Sequence, residues 1–427
     1  MTITSDIGLP VSLSPKLHDS YYLQLYKLIE NKQSLDEVTQ ALLDWVTNLV
    51  IDNPLDHIEA YRKLLALLIT LEIIKNESEE MKTIATLLKN KIDSVKTWRE
   101  FQLVLVYQKL CSELCGISDG VSLNIRTEKE GYAQLEYGRH WSWAGIPLQP
   151  YHTELGVILA LLGIHTNHEA YISVANQIAL FQLHLLDNEH YPIPGIFTQE
   201  RDAGFIDLLA WSAILFHSVS RASQNGELLG ISEIQKESLK DLSQQVHPLI
   251  PLIFKWKPFG KSLNQHLTPI IPQSFKITSL GAYGKRSEEQ ITISTLFGGR
   301  TGLGTYHVNR NLSIVTFGPQ YQPYGDCRGF GVELNSQSQN KFPNVSFEER
   351  TNGYITKGYT KVVGKTISET TYSCWGNSEH SEIWLDISQE LSDRVLNLDV
   401  KYLTYPSENQ LSFVFYIKAE QCEIRRA

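Results

Sequence analysis

Residues 248–297 read PLIPLIFKWKPFGKSLNQHLTPIIPQSFKITSLGAYGKRSEEQITISTLF, and the spacing of apolar residues changes within them. Upstream, apolar residues recur every three to four positions, the spacing of one helix face; downstream they alternate every second position, the spacing of a strand with one buried face. Five prolines, Pro248, Pro251, Pro258, Pro269 and Pro272, punctuate the change. The stretch therefore reads as a proline-rich linker over 251–274 between a helical domain over 1–250 and an antiparallel β domain over 275–427. The class this predicts is α+β multidomain. At 427 residues the chain is long enough for two cores.

Upstream, the residues to about Leu13 are polar and unpatterned, an irregular lead-in. Tyr21, Leu25, Leu28 and Ile29 then repeat at helical spacing, as do Leu35, Val38, Leu42, Trp45, Val46 and Leu49. Further amphipathic runs cover about 55–75, 79–92, 95–115, 152–164, 168–187, 203–223 and 232–247, so that eight or nine helices are expected, packed as antiparallel hairpins. The exception is 116–151, which holds Gly116, Gly120, Gly131, Gly138, Gly145, Pro147 and Pro150. Its aromatic content argues against disorder, and long loops inside helical domains tend to be functional.

Downstream, residues 290–297, 312–317, 381–387, 395–402 and 411–417 alternate between turn clusters. Ten to fourteen strands without intervening helices indicate antiparallel sheets stacked as a sandwich, because parallel strands need crossover helices.

Composition excludes several classes. A formal charge of −9 opposes a nucleic-acid partner, whose phosphates need a basic face. No run of about 18 apolar residues occurs, so no membrane partner is expected. The N-terminus has neither a basic nor an apolar leader region, which predicts a cytoplasmic protein. Five cysteines, sparse and odd in number, fit reduced thiols. Cys111 and Cys115 lie four apart in a helical pattern and lack further ligands nearby, so neither metal nor cofactor is expected there.

Polar chemistry concentrates in two places. In the stretch from Tyr137 to Glu154, the rings of Trp141, Trp143 and Tyr151 are flat faces on which sugars stack, with Arg139, His140, His152 and Glu154 beside them. Arg139 and Glu154, with the two tryptophans, suit substrate binding; His140, Tyr151 and His152 suit proton transfer. The competing reading is an aromatic loop packed for stability. The second place is Tyr306, His307, Asn309 and Arg310 at the entry to a strand, with Arg328 on a following turn. Here His307 and Arg310 suit catalysis, while Tyr306, Asn309 and Arg328 suit substrate binding: Arg or Asn neutralises an acid while Tyr or His moves a proton. Solvated hairpin ends are the competing reading. His165 and His168 are helically spaced but lack a third ligand, so no metal site is expected.

A helical hairpin domain, a proline-rich linker and a large antiparallel sandwich together resemble the polysaccharide lyases of the heparinase II/III and chondroitin lyase type. The likeness lies in element order over nearly the whole chain, without a signature motif. It implies an (α/α) toroid-like helical domain and a β-sandwich. It also implies a cleft lined by Tyr, His, Asn and Arg, which Tyr151, His140, His152, His307, Asn309 and Arg310 match by type. The activity implied is β-elimination on a uronate-containing glycan, with an oligosaccharide or polysaccharide as partner; the oligomeric state stays open. Two departures are present: such lyases are exported, and eight or nine helices are fewer than a full double ring needs. The alternative is a non-catalytic glycan-binding or protein-interaction module on the same scaffold.

Overall fold

The structure is a computed structural model that describes residues 19–30, 32–52, 54–75, 78–95, 101–117, 120–125, 127, 131–133, 147, 149–193, 205–240, 246–256 and 271–277, and the strands beyond. Ten helices occur among the described residues. They are α1 (Ser20–Ile29), α2 (Leu35–Asn48), α3 (Pro54–Ile74), α4 (Glu79–Ser94), α5 (Gln102–Leu114), α6 (Tyr151–Thr166), α7 (Glu169–Leu183), α8 (Phe205–Ser223), α9 (Gly226–Lys240) and α10 (Leu249–Lys255). Ten strands follow: β1 (Ser274–Ile277), β2 (Ala282–Arg286), β3 (Ile291–Thr295), β4 (Gly304–Val308), β5 (Ser313–Tyr321), β6 (Ser346–Arg350), β7 (Gly353–Lys365), β8 (His380–Ser392), β9 (Val395–Tyr402) and β10 (Leu411–Lys418). The change of period near 270 thus marks a change from helix to strand.

The chain divides into two compact units: residues 1–137, 150–182 and 204–270, and residues 138–149, 183–203 and 271–427. Two short segments from the helical half of the sequence therefore belong to the second unit.

In the first unit, local chemistry sets the helix ends. The Ser34 hydroxyl accepts from the Glu37 N–H at 3.4 Å while the Glu37 carboxylate accepts from the Ser34 N–H at 3.3 Å, a reciprocal cap on α2. Gly116, at φ +67°, closes α5: its N–H reaches the Glu113 carbonyl at 3.0 Å and the Ile117 N–H reaches that of Ser112 at 2.9 Å. Helix α10 runs to Lys255, into the stretch over 251–274 that reads as linker. Pro248 is its N-cap and Pro251 lies in the first turn, where an N–H has no intrahelical acceptor and proline costs nothing. Helix α6 is buried on every side from His152 to Gly163. Gly156 is the reason its neighbours come so close: a Cβ there would stand 2.6 Å from Leu215 Cδ1 on α8 and 2.8 Å from Ile178 Cγ2 on α7.

In the second unit the strands form sheets of order β1-β2-β3, β10-β5-β4 and β6-β7-β8-β9, and every described pairing is antiparallel. In the four-stranded sheet Val362 pairs with Ile383, and Ile387 with Gly358 on one side and Val400 on the other. In the sheet of β10, β5 and β4, Val315 pairs with Tyr306 and Ile417, and Phe317 with Phe415. In the first sheet Phe275 pairs with Gly284 across β1 and β2, and its ring occupies the space a Cβ at Gly284 would need.

Arg286 ends β2 and is 6% exposed. Its guanidinium donates to the carbonyls of Pro272 at 3.0 Å, Leu183 at 3.3 Å and His184 at 2.7 Å, and to that of Leu186. Three of these carbonyls lie at or just beyond the end of α7, where backbone acceptors have no helical partner.

Candidate functional site

Helix α6 starts where the sequence concentrates its polar chemistry, and its first turn is built from contacts inside the first unit. Tyr151, its first residue, is half-buried. His152 is fully buried: Nε2 accepts from the Ala133 N–H at 3.1 Å, and its ring meets Phe181 edge to face at 5.5 Å. The accepting Nε2 places the imidazole proton on Nδ1, and burial pushes the pKa down to about 3, so this histidine is neutral near pH 7.

Glu154 is fully buried as well. Arg62, from α3, clasps it with two parallel hydrogen bonds, Nε to Oε1 at 2.7 Å and Nη2 to Oε2 at 2.5 Å, and the Tyr107 hydroxyl donates to Oε1 at 2.5 Å. The Arg62 guanidinium lies over the Trp211 ring, 5.4 Å from its centre. From Arg62 the cluster extends to Glu59, one turn earlier on α3, at 3.3 Å. Glu59 also accepts from the Tyr22 hydroxyl at 2.9 Å and lies 3.2 Å from His247 Nε2. Because His247 Nδ1 accepts from the Leu249 N–H at 3.2 Å, Nε2 is the nitrogen that donates to Glu59.

The electrostatics follow from these contacts. Burial alone would raise the Glu59 carboxyl, but His247 beside it, with Arg62 and Lys63, holds it well below the usual carboxylate range. Burial likewise raises the Tyr107 hydroxyl, and the Glu154 charge raises it further, so it stays protonated as a donor. The arrangement is a saturated charge cluster: each carboxylate oxygen of Glu154 and Glu59 has a donor, and Glu59, one third exposed in its side chain, is where it meets solvent.

Of the residues expected to form a site, Arg139, His140, Trp141, Trp143, Asn309, Arg310 and Arg328 lie outside the described residues. Tyr151, His152 and Glu154 come together in one helical turn. Tyr306 and His307 both stand on β4, and as consecutive strand residues they fall on opposite faces. Tyr306 pairs with Val315; His307 pairs with Ile314, which pairs in turn with Lys418. His165 and His168 are exposed, and His168 stacks on Tyr171 at 4.4 Å. Among the described residues, no three His, Cys, Asp or Glu side chains gather as a metal would need.

Sequence reasoning missed Glu59, Arg62, Tyr107 and His247. The available signal was Glu59 and Arg62, three apart within a largely apolar helix, where charges cost energy unless partnered. Among the described residues no helix is long and apolar enough to cross a membrane. No family model, curated protein or solved structure matches the chain.

Proposed function

We propose that the protein is carbohydrate-active, a lyase-like enzyme that cleaves a uronate-containing glycan by β-elimination. The observation that supports this reading is the order of elements, ten described helices followed by antiparallel strands, which is the order of a toroid-like helical domain with a β-sandwich. Every described strand pairing is antiparallel, as such a sandwich needs.

In the reaction, a base removes the proton on the carbon next to the uronate carboxylate. The carbon–oxygen bond to the leaving sugar then breaks as a carbon–carbon double bond forms, and an acid returns a proton to the leaving oxygen. By residue type His140 and Tyr151 each suit the proton transfer, Arg139 and Arg310 the carboxylate, and Trp141 and Trp143 the sugar ring. His152 and Glu154 act in this reading as anchors of the turn that carries Tyr151.

The test is to incubate the full chain with polygalacturonate, alginate, heparin and chondroitin sulfate and follow ultraviolet absorbance of unsaturated product. Saturable release is expected from one of them, and His140→Ala and Tyr151→Phe should each lower turnover by roughly a hundredfold while folding is retained. The second reading, a non-catalytic glycan-binding or interaction module, is favoured by one observation: His152 and Glu154 are fully enclosed. Glycan binding without product supports that module, and absence of both removes the carbohydrate reading.

A further inference from the structure

We propose that a cavity of about 500 Å³ between α3, α4 and α5 binds a small organic acid with an apolar body, its acid group held by Lys75 and Lys82. This inference is independent of the glycan reading.

The volume lies within the range of small-molecule sites, roughly 300–1,000 Å³. Its floor is apolar: Leu68 and Leu71 from the last turns of α3, Ala85 from α4 and Leu114 from the end of α5. The polar groups along the walls are largely spent. The Thr86 hydroxyl donates to the Lys82 carbonyl at 2.9 Å, and the closure of α5 at Gly116 consumes the carbonyls of Ser112 and Glu113. Cys115 adds a protonated thiol, since burial pushes its pKa up to about 11. An apolar wall of this kind suits a hydrocarbon or aromatic body.

The rim selects the charge. Among the described lining residues one carboxylate is present, Glu72, which accepts the indole N–H of Trp256. Against it stand two ammonium groups. Lys82 pairs with Glu79 at 3.0 Å, but the two side chains are 53% and 86% exposed, so the pair is solvated and exchangeable for a ligand acid. Lys75 follows α3 at φ +51°, a left-handed position that glycine or asparagine ordinarily takes, so a side chain is kept at this rim against the backbone's preference. Once a ligand acid displaces Glu79 from Lys82, Lys75 and Lys82 outnumber the remaining carboxylate, Glu72, and over an apolar floor they complement an anion with an apolar body.

Isothermal titration of the full chain with decanoate tests this. One saturable site is expected, with decylammonium binding at least tenfold more weakly. Ala85→Phe, which fills the cavity, and the double variant Lys75→Glu/Lys82→Glu should each weaken decanoate at least tenfold with the circular dichroism unchanged. If Ala85→Phe does not fold, the lysine variant, at two exposed positions, decides. Absence of saturable binding, decylammonium binding as tightly as decanoate, or affinity unaffected by the lysine variant overturns the proposal.

Discussion

Arg62 in the first unit and Arg286 in the second are both cations withdrawn from water, and they are held in opposite ways. Arg62 faces carboxylates: Glu154 takes it in two parallel bonds and Glu59 adds a third contact. Burial, the largest single influence, would lower its pKa, but the Glu154 charge and hydrogen bond, with Glu59 and Tyr107, together outweigh it and hold the guanidinium well above its ordinary value. Arg286 faces backbone carbonyls, with Asp187 acting on it only by charge. Its donors are satisfied, yet burial dominates and brings its pKa down to about 10. Hydrogen bonds replace the directional part of lost hydration, whereas a counter-charge replaces the electrostatic part. The first site is therefore a linkage between helices, and the second is a cap on the backbone at 183–186.

The largest expected effect breaks the first half of that contrast. Glu154→Ala leaves Arg62 buried without its main counter-charge and should cost ~3–5 kcal/mol in chemical denaturation. The double variant Glu154→Leu/Arg62→Met should recover most of that loss, because it removes both desolvated charges. A single variant no worse than the double would show that the two residues are not coupled. Arg286→Ala comes next, at about 1.5–3 kcal/mol, the scale of hydrogen bonds to a charged group. Arg286→Lys keeps the charge but not the planar fork, so it should fall between the wild type and alanine in the same assay.

The smallest effect is read by pH. Burial pushes the pKa of His152 and His217 down to about 3; for His184, burial and then the nearby Arg286 charge bring it to about 4. Each folded value lies below the unfolded one, about 6.5, so the unfolded chain binds more protons between them. Thermal stability should consequently fall as pH drops from about 6.5 towards 4, and His152→Gln should flatten the slope. Because Arg286 contributes to the His184 shift, Arg286→Gln should move the His184 pKa upward in an NMR titration. An unmoved value would mean that burial alone sets it.

Much of the element order was legible because it rests on short-range geometry. The alternation over 395–402 coincides with β9, and the run over 55–75 lies within a residue of α3. Helix α10 was hidden by its prolines, which read as breakers unless their place in the first turn is known. The assignment of 138–149 and 183–203 to the second unit was not legible, since it depends on contacts far along the chain. Glu154 was visible as an acid in a helix's first turn, while Arg62, 92 positions away, carried no mark of being its partner.

By itself the sequence determined most of the helical segments, α10 apart, and the change from helix to strand, and at Ser34 and Gly116 local hydrogen bonds decide where a helix begins or ends. Those outcomes depend on periods of 3.6 and 2 and on hydrogen bonds spanning a few residues. The tertiary structure alone decided what the polar residues do. It set Glu154 as the counter-charge of Arg62, His152 as a neutral acceptor for Ala133, and Arg286 as a cap for carbonyls about a hundred residues earlier. A residue's charge state and hydrogen-bonding role are set by the water it loses and the partners that replace it, and both are known only once distant segments have met.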